Sequence, residues 1–212
     1  MSMSAERIAQ ILLEIEAIGV NADKPIQFKS GIQSPVYMDN RSLPFHPPQW
    51  KEVIAAFQGY LQNLPLDVIA GIEAAGIPHS AALGYAMNKP SVFVRKAAKE
   101  HGKQKRVEGG NVAGLRVVLV EDLVTTGGSS LSGVEALRTE GAIVEHCIAI
   151  VSYGFAEAAE NFARANVELH TLTNFDTIWR FLKPTVSAEV AQMVETWHAD
   201  PYTWGKTDEY SK

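Results

Sequence analysis

The sequence predicts an α/β fold in which a parallel central sheet is flanked by helices on both faces. Four short apolar runs, at residues 67–71, 91–94, 117–120 and 143–151, alternate with segments of helical periodicity. Such runs are typical of strands buried on both faces, which occur in parallel sheets. The chain has 212 residues, long enough to bury a full core in one domain with a small appendage.

The N-terminal part predicts a helix followed by an irregular segment. Ser4 is a good N-cap and Gly19 a good helix end, and the apolar residues between them recur at helical spacing: Ile8, Ile11, Leu12, Ile15 and Ile18. Residues 21–48 contain five prolines, which predicts an irregular subdomain with short extended pieces at 26–28 and 36–38.

The remaining elements follow in order. A helical stripe from Trp50 to Leu61 precedes the first core strand, and we predict further helices at 77–87, 129–138, 155–164 and 187–198. Gly141 closes the second of these four, and a last strand is expected at 167–172. We therefore expect residues 1–48 to form the N-terminal helix and appendage, 49–185 the core, and 186–212 a C-terminal helix and tail.

Composition excludes several classes of protein. A net charge of -5 disfavours a nucleic-acid binder that relies on overall basicity. No apolar run approaches the roughly 20 residues that span a bilayer, and the N-terminus lacks the apolar core of a signal peptide, so we expect a cytoplasmic protein with neither a membrane nor a nucleic-acid partner. The single cysteine, Cys147, lies in an apolar run and is predicted to be a buried strand thiol.

The most informative motif joins a buried strand to a helix. Glu121 and Asp122, at the carboxyl end of that strand, can accept hydrogen bonds from vicinal ribose hydroxyls. The run from Thr125 to Ser129 can direct backbone N–H groups and hydroxyls at one phosphate, beside a helix N-terminus. The alternative is an ordinary strand-to-helix turn whose acids serve solubility. The apolar strand, the acidic pair and the turn occur in register, which favours a ribose-phosphate site.

Three segments resemble known families. Residues 117–130, VVLVEDLVTTGGSS, resemble the phosphoribosyl-pyrophosphate (PRPP) signature of type I phosphoribosyltransferases. Residues 28–41, FKSGIQSPVYMDNR, are similar to the N-terminal base-binding hood of orotate phosphoribosyltransferases, and residues 95–102, RKAAKEHG, to their catalytic loop. Stretches at 152–155 and 172–177 also resemble this family, so the resemblance spans nearly the whole chain.

The resemblance implies the type I phosphoribosyltransferase fold with a small N-terminal hood. It implies transfer of a phosphoribosyl group from PRPP to orotate, giving orotidine 5′-monophosphate and pyrophosphate in pyrimidine synthesis. It also implies Mg²⁺ held mainly through PRPP, with no direct protein ligand, and a homodimer whose catalytic loop reaches into the neighbouring subunit's site.

The same resemblance assigns site residues. It assigns catalysis to Lys99 and Asp122. It assigns PRPP binding to Arg95, Lys96, Lys99, His101, Glu121, Asp122, Leu123, Val124, Thr125, Thr126, Gly127, Gly128 and Ser129. It assigns orotate binding to Lys29, Tyr37, Met38 and Thr125.

Residues 95–106, termed the lid segment below, are strongly basic in an acidic protein. They carry six cations: Arg95, Lys96, Lys99, Lys103, Lys105 and Arg106. A solvated charged loop is the simple explanation. Beside a phosphate site, however, this charge suits a polyanion such as pyrophosphate. Gly102, Gly109 and Gly110 offer hinges for a lid that closes over substrate.

Residues 21–48, termed the hood below, suit a planar anionic base. Lys29, flanked by Phe28, supplies a cation, and Tyr37 supplies a flat apolar surface. The alternative is a proline-rich surface loop whose aromatic residues simply pack. The turn at 71–78 corresponds to the family's pyrophosphate loop, but Ala74 and Ala75 stand where some relatives have Tyr-Lys.

Two rival functions remain at this point. One is the same fold acting on a purine base, against which the hood sequence argues. The other is a PRPP-sensing regulator without catalysis, which the net charge and the Lys99–His101 spacing disfavour. The other five histidines have no paired ligand spacing and are expected to be surface or core residues without a zinc site: His46, His79, His146, His170 and His198.

Overall fold

Helices and strands alternate along the chain in this computed structural model, which describes residues 3–28, 30–97 and 105–205. The N-terminal part contains α1 (Ala5–Glu14), β1 (Ile18–Val20), β2 (Ile26–Gln27), β3 (Gln33–Ser34), β4 (Val36–Met38) and a 3-10 helix (Asn40–Phe45). The core contains α2 (Pro47–Leu61), β5 (Val68–Ile72), α3 (Gly76–Met87), β6 (Ser91–Val94), β7 (Val107–Glu108), β8 (Arg116–Val124), α4 (Gly128–Thr139), β9 (Ile143–Ser152), α5 (Ala156–Arg164), β10 (Glu168–Asn174) and α6 (Phe175–Leu182). A short 3-10 helix (Lys183–Thr185) precedes α7 (Ala188–Ala199).

Six strands form the central sheet, in the order β10-β9-β8-β5-β6-β7. All neighbours are parallel except the short edge strand β7, which runs antiparallel to β6. The predicted parallel sheet is therefore confirmed. From β5 the chain continues to β6 on one side, and from β8 to β9 and β10 on the other. The β5–β8 pair is thus the point where the strand order reverses, and ligands of such sheets bind there, beyond the carboxyl ends of the strands.

Helices cover both faces of the sheet, as the sequence predicts. Side chains of β8 alternate between two apolar cores. Val118 and Val120 join the core formed with α1, α2, α6 and α7. Val117 and Leu119 join the core formed with α4 and α5. Among the described residues, no helix is both long and apolar enough to cross a membrane.

The first helix begins where predicted but ends early. The Ser4 hydroxyl oxygen accepts a hydrogen bond from the Arg7 N–H, as an N-cap does. The helix stops at Glu14 rather than at Gly19. Ile18, which its spacing places on the helical stripe, instead begins β1 and pairs with Met38 of β4. Backbone pairing with a distant strand overrides the local periodicity, and Ile18 is buried in β1.

Three other elements differ from the sequence prediction. Strand β8 extends to Val124, so Glu121 and Asp122 lie within the strand rather than beyond it, because β9 continues to pair with it as far as Ser152. Helix α6, which was not predicted, is capped by Asn174, whose side-chain oxygen accepts from the Thr177 N–H. Strand β7 is only two residues long and was also not predicted.

The C-terminal helix holds the hood against the core. The Trp197 indole N–H donates to the carbonyl oxygen of Gln33 at 2.8 Å. The hydroxyl of Tyr153, at the end of β9, donates to the carbonyl oxygen of Val36 at 3.2 Å, and the ring of Phe28 packs on it at 5.1 Å between centroids. Two aromatic side chains from distant parts of the chain therefore fix both sides of the β3–β4 turn.

Candidate active site

The residues of the ribose-phosphate motif lie at the switch point of the sheet. Glu121 and Asp122 are near the carboxyl end of β8, and residues 125–129, termed the phosphate loop, follow it. Residues 73–75, termed the β5–α3 loop, leave the adjacent strand at the same edge, because Gly71 of β5 is in register with Val120. The acidic pair is thus flanked by two strand-to-helix turns.

The two carboxylates have different environments. Glu121 is buried and its two oxygens accept hydrogen bonds from the Asp122 N–H at 3.1 Å and the Ser130 hydroxyl at 3.3 Å. Asp122 is only partly buried. Burial raises the pKa of both carboxyl groups, and that of Glu121 well above its ordinary range. Removing two neighbouring carboxylates from water is unfavourable, so hydroxyl donors from a ligand would stabilise them.

The phosphate loop is shaped to leave backbone donors free. Gly127 has φ 84 and precedes α4 without a side-chain cap, so the first N–H groups of that helix remain available to an anion. The carbonyl of Thr126 points away from that end of the helix, toward α5, where it accepts a hydrogen bond from the Asn161 amide at 2.9 Å. The loop therefore has the donor-rich geometry that a phosphate needs.

The hood closes over this loop. A cavity of about 200 Å³ is lined on the hood side by Phe28 and Ser30. On the other side it is lined by Leu123, Thr125, Thr126, Gly127, Gly128, Ser129 and Ser130. The predicted phosphate residues are therefore brought together with part of the hood. Lys29 lies outside the described residues.

The lid segment starts and ends beside the sheet. Arg95 and Arg106 are joined by two hydrogen bonds, each 2.8 Å long. The Arg95 backbone N–H donates to the Arg106 carbonyl, and the Arg106 Nε–H donates to the Arg95 carbonyl. Arg106 also donates to the carbonyl of Ser132, and Lys105 to the carboxylate of Glu140. These two of the six lid cations thus bind the protein itself.

The remaining lid cations contact other acidic residues or lie outside the described residues. The Lys96 N–H donates to a carboxylate oxygen of Glu73 at 2.9 Å, which holds the start of the lid segment at the carboxyl end of β5. Arg95 approaches Glu108 at 3.9 Å. Lys99, His101 and Lys103 lie outside the described residues.

Comparisons with known proteins agree with this geometry. Residues 45–181 match the family model described as Phosphoribosyl transferase domain. An orotate phosphoribosyltransferase of Coxiella burnetii is 39% identical over 204 residues, which cover 94% of this chain and 98% of the relative. One of Listeria innocua is 40% identical over 210 residues, covering 96% and 100%.

The chain belongs to the orotate phosphoribosyltransferase family. Among solved structures, the orotate phosphoribosyltransferase of Aeropyrum pernix superposes with a TM-score of 0.74 at 30% identity and covers 83% of this chain and 98% of its own. The resemblance and the type I phosphoribosyltransferase fold that the sequence predicts are both confirmed.

Two predicted base-binding residues of this family member, Tyr37 and Met38, are not among the residues that line the cavity. Tyr37 is half-buried in β4 opposite Gly19, and its ring lies so close to Gly19 that a Cβ there would be 2.7 Å from the ring carbons. Met38 packs against the larger core. Phe28, which the sequence indicates only as a neighbour of Lys29, lines the cavity itself.

Sequence reasoning missed three residues that support the site. Asn40 of the hood donates from its amide to the Asp122 carbonyl at 3.0 Å, Ser130 donates to Glu121, and Asn161 holds the phosphate loop. Apart from that of Ser130, these contacts join residues far apart in the chain. Asn40 belongs to the hood segment 28–41, but nothing in that segment indicates a contact with Asp122, and Asn161 lies in no motif.

The site offers limited protein ligation for a metal ion. In residues 3–28, 30–97 and 105–205, no group of three or more His, Cys, Asp or Glu side chains is placed to hold one. Glu121 and Asp122 do supply the hard oxygen atoms that Mg²⁺ prefers, and Mg²⁺ is commonly bound by one or two carboxylates together with substrate phosphates. The donor set therefore fits Mg²⁺ shared with a phosphorylated substrate.

Proposed function

We propose that this chain transfers the phosphoribosyl group of PRPP to orotate, forming orotidine 5′-monophosphate and releasing pyrophosphate in de novo pyrimidine synthesis. The observation that carries the proposal is the buried Glu121–Asp122 pair between a donor-rich phosphate loop and the β5–α3 loop at the switch point of the sheet. The relatives from Coxiella burnetii and Listeria innocua are named for the same reaction.

The three parts of PRPP match three parts of the site. The phosphate loop would bind the 5′-phosphate through the amino end of α4. Glu121 and Asp122 would accept hydrogen bonds from the ribose hydroxyls. The diphosphate at the anomeric carbon would then lie toward β5, where the lid segment begins at Arg95 and Lys96.

In the reaction the bond from the anomeric carbon to the diphosphate oxygen breaks, and a bond to the orotate ring nitrogen forms. Positive charge develops on the ribose, and Asp122, close to it, would stabilise that charge. Negative charge develops on the departing diphosphate. Lys99, with Arg95, Lys96 and His101, would neutralise it, and a closed lid would exclude water that could otherwise capture the ribose.

Orotate would lie between the hood and the phosphate loop. Phe28 and Thr125 line the same cavity. We assign the orotate carboxylate to Lys29, which follows Phe28 in the sequence. Tyr37 and Met38, in β4 of the hood, complete the proposed base-binding set.

The proposal includes Mg²⁺, a homodimer and a cytoplasmic location. PRPP, with Glu121 and Asp122 nearby, would hold Mg²⁺, which would supply charge neutralisation of the diphosphate when bound. The homodimer follows from the resemblance, in which the lid segment of one subunit serves the site of the other. The cytoplasmic location follows from the sequence prediction.

The decisive experiment measures pyrophosphate release from PRPP with orotate, hypoxanthine, guanine or adenine, each with and without Mg²⁺. We expect release only with orotate and Mg²⁺, and none from Asp122→Asn. Release with a purine base and not with orotate would replace the proposed substrate. PRPP binding without release in any mixture would instead support a regulator.

A further inference from the structure

Asn161 of α5 contacts the phosphate loop from the side opposite the cavity. Its side-chain amide donates to the Thr126 carbonyl at 2.9 Å. Gly127, the residue after Thr126, lines the cavity that the hood closes. No residue of α5, all of which the structure describes, is part of that lining. The Thr126 carbonyl therefore points out of the cavity, toward α5.

The direction of that carbonyl also sets the direction of the next backbone N–H group. The peptide bond between Thr126 and Gly127 is trans, so the Thr126 carbonyl and the Gly127 N–H point in opposite directions across one plane. With the carbonyl turned to α5, the Gly127 N–H is directed toward the cavity. Within residues 3–28, 30–97 and 105–205, no group accepts a hydrogen bond from this N–H. It is therefore available to an anion.

The backbone by itself does not fix this orientation. Gly127 has φ 84, a conformation that glycine adopts without the steric cost of a Cβ. Glycine takes many other φ values just as readily, so the peptide plane before it can rotate until the N–H points elsewhere. A hydrogen bond to the Thr126 carbonyl opposes that rotation, and Asn161 donates it.

The amide group of Asn161 is itself held in one orientation. Nη2 of Arg164, one turn further along α5, donates to the Asn161 Oδ1 at 2.7 Å. A guanidinium can only donate, so it binds the amide oxygen and leaves the amide NH₂ group facing Thr126. The ring of Phe162, the next residue, lies 2.8 Å from the place where a Cβ on Gly127 would be. Two adjacent residues of α5 therefore support the phosphate loop.

We propose that Asn161 is a positioning residue that, through the Thr126 carbonyl, directs the Gly127 N–H at the 5′-phosphate of PRPP. Asn161 does not contact the substrate. A backbone N–H that already faces the anion needs no reorganisation when the anion binds, and this increases affinity. The inference rests on the proposed function, since the 5′-phosphate concerned is that of PRPP.

The test compares two substitutions of Asn161 that differ in charge. Asn161→Asp keeps the size and an acceptor for Arg164, but it replaces the donor to Thr126 with an acceptor. Asn161→Leu removes the donor without adding charge. Ribose 5-phosphate is titrated into the wild type and each variant, and heats of binding are measured. We expect both variants to bind it at least about tenfold more weakly, the effect of losing one hydrogen bond to a charged group.

A spectroscopic measurement separates positioning from a general loss of structure. In a chain labelled with ¹⁵N-glycine, the Gly127 N–H resonance of the wild type should shift downfield when ribose 5-phosphate binds, because the N–H then donates to a charged oxygen. In Asn161→Asp this shift should be absent at saturating ligand. Gly59 and Gly114, which lie outside the phosphate loop, should keep their wild-type resonances in both variants. A merely structural role would move these two resonances and leave the Gly127 shift.

Asn63→Asp and Asn63→Leu are the matched controls. The Asn63 amide also donates to a backbone carbonyl, that of Gly59 in α2, and neither residue lines the cavity. Both controls should bind ribose 5-phosphate as the wild type does.

Four results would overturn the positioning role of Asn161: no binding of ribose 5-phosphate by the wild type, a loss in Asn161→Asp alone, an equal loss in the Asn63 variants, or a Gly127 shift that persists in Asn161→Asp. If both Asn161 variants lose affinity and the shift, but the wild type releases no pyrophosphate from PRPP and orotate, the positioning role stands and the proposed reaction fails.

Discussion

Asn40 and Asp122 are joined by a hydrogen bond from the Asn40 side-chain amide to the Asp122 backbone carbonyl, 3.0 Å long. Asn40 is fully buried and belongs to the hood, whereas Asp122 lies in the central sheet. The bond links the segment proposed to select the base to the strand proposed to hold the ribose. A shift of the hood would therefore act directly on the backbone of Asp122, in the acidic pair.

Replacing Asn40 tests this link. We expect Asn40→Ala to lower the free energy of unfolding by about 1–3 kcal/mol, because the Asp122 carbonyl loses its donor in a buried setting. The KM for PRPP should also rise. Urea denaturation and steady-state kinetics measure both effects. Asn63→Ala removes an exposed amide that bonds only to the Gly59 carbonyl in α2 and should change either quantity little. Equal effects of the two variants would contradict the proposed role of Asn40 in linking the hood to the acidic pair.

Glu121→Gln should separate stability from activity. The neutral amide can still accept from the Asp122 N–H and can donate to the Ser130 hydroxyl oxygen, so both hydrogen bonds of Glu121 have a counterpart. It cannot offer a carboxylate to the ribose. We expect the KM for PRPP to rise at least about tenfold, while the folded state gains stability at neutral pH.

The pKa of Glu121 determines how the stability gain of Glu121→Gln changes with pH. The ordinary pKa of a glutamate carboxyl is 4.5, and burial raises that of Glu121 well above it in the folded chain. Its contribution to stability is therefore complete below pH 4.5 and is lost as pH rises through the folded pKa. The stability advantage of Glu121→Gln should grow from pH 5 to pH 9 in urea denaturation. An advantage that is constant or shrinks with pH would contradict this reasoning.

Lys99→Ala should lower kcat far more than it raises the KM for orotate. Lys99 is proposed to act on the departing diphosphate, so its interaction strengthens as the transition state forms. Steady-state kinetics with both substrates measure the split. Lys183→Ala, which removes a lysine paired with Glu195 near the C-terminus, should leave both constants unchanged. Near-normal turnover in Lys99→Ala would remove it from the catalytic set.

The sequence alone predicts the sheet and the phosphate loop, because both depend on local patterns. The apolar runs of β5, β6, β8 and β9 predict buried strands, and the acidic pair with the Gly-containing turn predicts a ribose-phosphate site. The end of β8 was not predictable, because Glu121 and Asp122 stay in the strand only through pairing with β9. Likewise α1 ends early because β1 pairs with the distant β4.

The supporting contacts were beyond sequence reasoning for the same physical reason. Asn40 meets Asp122 across 82 residues, and Tyr153 meets Val36 across 117. A single hydrogen bond between such distant residues has no periodicity and no fixed spacing.

Gly127 should tolerate no side chain. Its φ of 84 lies in the left-handed region, and a Cβ would lie 2.8 Å from the ring of Phe162. We expect Gly127→Ala to cost about 1–3 kcal/mol of stability, measured by urea denaturation. It should also weaken the binding of ribose 5-phosphate, because the phosphate loop must shift. Gly128→Ala is the matched stability control: its Cβ would meet no atom within 4 Å, so stability should be unchanged.

Trp197 should affect orotate binding without contacting orotate itself. Its indole N–H donates to the Gln33 carbonyl, in the hood just before Val36, Tyr37 and Met38. Trp197→Phe keeps most of the aromatic packing but removes that donor. We expect the KM for orotate to rise several-fold, roughly the effect of one neutral hydrogen bond, while the KM for PRPP stays nearly constant because the phosphate loop is held by α5.

Trp179→Phe is the matched control for this split. Trp179 lies in α6, and its indole N–H donates to the carboxylate of Glu195 in α7 rather than to the hood. The two variants lose the same kind of donor and a similar volume, so a general loss of stability would affect them alike. A rise in the orotate KM in Trp197→Phe alone means that the C-terminal helix positions the hood. If the KM for orotate rises equally in both variants, or if the KM values for orotate and PRPP rise equally, Trp197 contributes only to core packing.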